Sequence, residues 1–101
     1  MTTTETLRTE MENNKLEIAR LTEQFNLMED VVKATSKKVD DMENAPMEVY
    51  TQAECDAIYA EHHKAITEWD EIERKIKTLE KVNDYLERAL WELESIEEIE
   101  D

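Results

Sequence analysis

Two long stretches of the chain repeat apolar residues at alternating steps of four and three. The first runs through Leu7, Met11, Asn14, Ile18, Leu21, Phe25, Met28, Val32, Thr35, Val39 and Met42. The second runs through Cys55, Ile58, His62, Ala65, Trp69, Ile72, Ile76, Leu79, Asn83, Leu86, Leu90 and Leu93. An α-helix turns once in about 3.6 residues, so this alternation keeps the side chains on one narrow stripe. A stripe that repeats strictly every seven residues is a coiled-coil seam. In the first stretch Met11, Ile18, Phe25, Val32 and Val39 hold heptad position a, and the other members hold d.

The stretch Glu43-Asn44-Ala45-Pro46-Met47-Glu48-Val49-Tyr50 separates the two seams. Pro46 cannot continue a helix and pushes Ala45 out of the helical region. Asn44 is suited to a helix C-terminus. Thr51-Gln52-Ala53-Glu54 reads as a capping box, in which the Thr51 hydroxyl accepts from the Glu54 amide and the Glu54 carboxylate reaches back. Tyr50 and Cys55 flank it as a hydrophobic staple. The prediction is one helix over about residues 4–44, a loop over 45–51 and a second helix over about 52–98, all in one domain. At about 1.5 Å per residue the helices are roughly 60 and 70 Å long.

Polar residues within the seams predict how the helices pair. In an antiparallel pair, facing residues have numbers of constant sum. A sum of 97 sets Asn14 against Asn83 and Thr35 against His62. It also sets Val39 against Ile58, Val32 against Ala65, Met28 against Trp69, Phe25 against Ile72, Leu21 against Ile76, Ile18 against Leu79, Met11 against Leu86 and Leu7 against Leu90. Every pair joins an a to a d. Sliding by one heptad would face each seam amide with an apolar group, stranding it at about 1–3 kcal/mol. The expected fold is therefore all-α: two long helices folded back as an antiparallel coiled-coil hairpin. The rival arrangement is a parallel homodimer in which each helix meets its own copy.

The flanks of the seam are unequal. On the g side and adjoining c positions lie Leu27, Val31 and Ala34 of the first helix, and Val82, Tyr85, Ala89, Ile96 and Ile99 of the second. The e side is polar apart from Tyr59 and Ile66. An apolar stripe beside a seam is a second burial surface. It predicts self-association of hairpins into a four-helix bundle, or a groove for another protein's helix. Trp91 belongs to neither stripe, and an exposed tryptophan marks a candidate contact for a partner.

Composition sharpens the fold and narrows the partners. The chain has 101 residues, no glycine and a single proline, which suits few turns and disfavours a sheet. Its formal net charge is −15, which argues against direct binding to nucleic acid or to an anionic membrane. Residues 1–46 carry a net −4 and residues 47–101 a net −11. Acids gather after Asp84, with Arg88 the only base there, so Glu87, Glu92, Glu94, Glu97 and Glu98 form a candidate docking surface for a basic protein. The lone Cys55 allows no intrachain disulfide. The opening MTTTETLRTE has no basic start and no apolar stretch, so no secretory signal is expected. A cytosolic setting follows as the expectation.

Catalytic and cofactor chemistry finds little support. Cys55, Asp56, Tyr59, Glu61, His62 and His63 are the one cluster of potential ligands. Cys55 and His62 share a helix face but are expected to oppose Met42 and Thr35, neither of which completes a zinc site. No glycine exists for a phosphate loop or an oxyanion loop. The expectation is a non-enzymatic protein with no cofactor and no metal, acting as an assembly or protein-interaction module and forming homo-oligomers. The alternative is an acidic decoy that imitates nucleic acid, as a viral inhibitor of a host nucleic-acid-binding defence protein would. The dozen interspersed bases count against a uniform phosphate mimic.

Overall fold

A computed structural model contains two helices, α1 (Thr3–Glu43) and α2 (Gln52–Glu100), packed against each other as a hairpin. The structure describes residues 2–100, with side chains through residue 96. No strand occurs among the described residues. The observed helices begin or end within two residues of the predicted limits.

Local chemistry explains where each helix starts and stops. Thr2 caps α1: its hydroxyl accepts from the Glu5 amide at 3.1 Å, and its carbonyl accepts from the Thr6 amide at 3.0 Å. At the far end the Asn44 amide still reaches the Asp40 carbonyl at 2.9 Å, but the Ala45 amide bonds Met42 at 3.2 Å, a tightened final turn. None of the described residues has a positive φ, so Asn44 does not close the helix in the left-handed conformation. Pro46, which has no amide hydrogen, ends it instead.

Thr51 starts α2. Its hydroxyl accepts from the Glu54 amide at 3.1 Å and its carbonyl from the Cys55 amide at 3.0 Å. The Glu54 carboxylate does reach back, but its partner is the Thr51 hydroxyl, at 3.1 Å, and not the Thr51 amide. The hydroxyl thus accepts through its oxygen and donates through its proton at once.

The two-helix arrangement leaves a narrow core. Among the described residues, Leu21, Met42 and Ala65 are the buried apolar side chains, joined by Thr4 and Thr35. Every other seam residue from Leu7 to Leu93 is half-buried, because each helix has a neighbour on one side only. The contacts group into two compact units. One joins residues up to Thr22 with those from Arg74 onward; the other is the continuous segment Glu23–Glu73, which contains the loop.

Candidate interaction surfaces

Polar layers occur in both units. In the first, Asn14 Nδ2 donates to Asn83 Oδ1 at 2.9 Å, and Asn83 Nδ2 donates to the Met11 carbonyl at 3.2 Å. Asn83 is thus the hub, engaging both its amide nitrogen and its amide oxygen. In the second unit, Thr35 Oγ1 lies 2.7 Å from His62 Nδ1 and donates to the Val32 carbonyl at 3.0 Å. A hydroxyl has one proton. With that proton on Val32, His62 Nδ1 carries its own hydrogen and donates to Thr35. Both polar layers join residues whose numbers sum to 97.

The second unit also holds a ring stack that the layer-by-layer pairing does not anticipate. Phe25 lies against Trp69 with centroids 5.2 Å apart and planes 21° from parallel. The rings reach diagonally across the layers expected from the register, in which Phe25 faces Ile72 and Trp69 faces Met28. The Trp69 indole nitrogen is buried without a hydrogen-bond partner. Such a donor lowers the stability gained from the ring's burial.

Flanking charges brace each unit. On the e side of the first, Arg8 pairs with Glu94. Glu17 and Arg20 pair within α1, with Arg20 Nε donating at 2.9 Å. That hydrogen bond lowers the Glu17 pKa and raises that of Arg20. In the second unit Lys38 reaches Glu61 at 3.2 Å, and the Tyr59 hydroxyl donates to Glu43 at 2.7 Å. The bond to Glu43, with some burial and the charges of Glu43 and Cys55, raises the Tyr59 pKa.

Several apolar side chains that find no place in the seam are exposed. In the first unit Val82, Tyr85 and Ile96 stand out from α2 with half-buried Ala89 between them, spaced by threes and fours apart from the seven-residue interval before Ile96. Glu92 occupies the intervening position, so the stripe is interrupted there. In the second unit Leu27 and Val31 are exposed on α1. Trp91 is 69% exposed and lines a shallow groove with Asp84, Glu87 and Arg88, one helix turn after another. Leu16, 65% exposed on the outer face of α1, belongs to no stripe that the sequence signals.

No protein-family model matches the chain, and no curated protein or solved structure is significantly similar to it.

The acidic residues expected to dock a partner are in differing situations. Glu87 and Glu92 are exposed. Glu94 is engaged by Arg8 within the chain. The side chains of Glu97 and Glu98, and that of Ile99, lie outside the described residues. Folding also sorts charge differently from a cut between the two helices. Segment 23–73 holds fourteen acids and four Lys or Arg, a net −10, and the other unit's residues carry the remaining −5.

Cys55 is half-buried and His63 is exposed. Asp56 accepts from the Gln52 side chain at 2.9 Å. Among the described residues, no three His, Cys, Asp or Glu side chains gather where they could hold a metal ion. No described helix is long and apolar enough to cross a membrane.

Proposed function

We propose that the chain is a non-enzymatic coiled-coil assembly module, without cofactor, that oligomerises through the Val82–Tyr85–Ala89–Ile96 stripe and presents an acidic surface to a protein partner in the cytosol. The supporting observation is that stripe itself: apolar side chains of α2 left exposed beside a seam that is already occupied. Pairing two hairpins through it makes a four-helix bundle and gives each narrow core a second layer. A helical pair this thin gains more from such a layer than a large domain would.

The test is light scattering coupled to size exclusion at low and high salt, on the intact protein and on a Tyr85→Glu, Ala89→Glu double variant. The expected result is an oligomer that becomes a helical monomer in the variant. Helical monomers in both samples at every salt concentration would sink self-association.

The second role is the acidic nucleic-acid mimic or decoy, and the charge of segment 23–73 favours it. Salt separates the two roles. Binding by a decoy weakens steeply as salt rises, whereas docking through apolar side chains persists.

A further inference from the structure

The loop end of the second unit combines two features that the seam and the α2 stripe do not use. From Val39 to His63 the sequence has seven carboxylates (Asp40, Asp41, Glu43, Glu48, Glu54, Asp56 and Glu61) and no Lys or Arg. Among the described ion pairs, one reaches this group from outside, Lys38 to Glu61. Glu43, Glu54 and Asp56 accept from neutral donors, which leave their charges in place. The last turn of α1 contains no base, so its acids sit at the negative end of the helix dipole. Set among these charges are Met47, 99% exposed, and Val49, 59% exposed. Tyr59, near Glu43, is also exposed.

We propose that this loop end is a docking site for a basic amphipathic segment of another protein, whose apolar side chains cover Met47 and Val49 while its Lys or Arg residues meet Asp40, Asp41 and Glu48. The inference rests on the partner-binding part of the function proposed above, but not on self-association, and it moves the acidic contact from the end of α2 to the loop.

Complementarity selects the occupant. A second copy of this chain would bring net charge −15 to a site that is itself acidic. A phosphate-bearing ligand or an anionic membrane is repelled in the same way. A cationic segment relieves the repulsion among carboxylates of which, in the described ion pairs, Glu61 alone has a cation. Its apolar face also removes from water a methionine that the chain leaves wholly uncovered. The raised Tyr59 pKa is consistent with local negative charge, since its leading cause is the hydrogen bond to the Glu43 carboxylate.

The experiment measures binding of two synthetic peptides by fluorescence anisotropy. One is an amphipathic helix of Lys and Leu; the other has the same charge with every Leu replaced by Ser. The full chain is compared with three variants: Met47→Ser, Val49→Ser; Asp40→Asn, Asp41→Asn, Glu48→Gln; and Glu87→Gln, Glu92→Gln. Circular dichroism confirms that each remains helical. The Lys–Leu peptide should bind the intact chain more tightly than the Lys–Ser peptide. Each of the first two variants should weaken that binding about tenfold, and the third should change it less than about twofold. The proposal is overturned if the Lys–Leu peptide does not bind, if both peptides bind alike, or if all three variants weaken binding equally. Scattering measurements in which the loop variants alter oligomeric state would also overturn it, because the occupant would then be a second copy. Failure of the Tyr85→Glu, Ala89→Glu test would leave these readouts intact.

Discussion

Replacing the two seam asparagines by leucine, singly and together, should reveal a large coupling. Asn83 makes two hydrogen bonds, accepting from Asn14 and donating to the Met11 carbonyl, while Asn14 makes one of these. At about 1 kcal/mol net per bond, Asn83→Leu should cost about 2 kcal/mol and Asn14→Leu about 1 kcal/mol. Each single variant also leaves an amide facing a leucine. The double variant strands no side-chain amide, and the Met11 carbonyl remains within its helix. Its stability should return to about the starting value, so the coupling equals the summed single losses, about 3 kcal/mol at full strength and nearer 2 kcal/mol where water compensates. Both asparagines are half-buried, and water replaces part of each lost bond. The lower end of that range is therefore expected. Urea unfolding followed by circular dichroism, at one fixed protein concentration, measures all four corners of the cycle. The reasoning fails if the double variant loses the sum of the single losses, or if Asn14→Leu costs more than Asn83→Leu.

Two shorter predictions concern the loop end. Thr51→Ala removes the acceptor of the Glu54 amide and should destabilise the start of α2 by about 1 kcal/mol, seen as faster hydrogen exchange at Glu54 and Cys55. Tyr59 should titrate above the ordinary tyrosine range, and Glu43→Gln should lower its pKa, as read by tyrosinate absorbance against a Tyr59→Phe control. Because the folded value is the raised one, the associated stability is fully present below the unfolded pKa. It is lost as pH rises through the folded pKa. Titration of Tyr59 at the ordinary value would refute the attribution.

The helical stripes were legible because one period governs both halves of the chain. The polar layers were legible because a buried amide needs a partner, which limits the registers that need considering. The Thr51 cap showed itself as a Thr followed three residues later by Glu. The same spacing recurs in Thr2 and Glu5, at the start of α1. Other features depend on shape. The diagonal stack of Phe25 on Trp69 follows from ring size and tilt, which heptad letters do not encode. The concentration of charge depends on which distant residues fold together, so a cut between the helices placed the acids toward the end of α2. Nothing in the pattern explains the exposure of Leu16.

The grouping of contacts also bears on how the chain comes to be folded. Segment 23–73 contains both arms of its unit and the turn between them, so its contacts close short loops and become available once residue 73 has been made. The other unit joins residues up to Thr22 to those from Arg74 onward. Its first arm therefore has to wait through the synthesis of the whole intervening segment before its partner exists. Contacts of greater sequence separation form later, after more chain entropy has been lost. A ribosome adding about 5–20 residues per second imposes an interval of seconds during which the seam side chains of that first arm have no mate. The polar residue Asn14 in its middle then limits how attractive the arm is to the wrong neighbour during that interval.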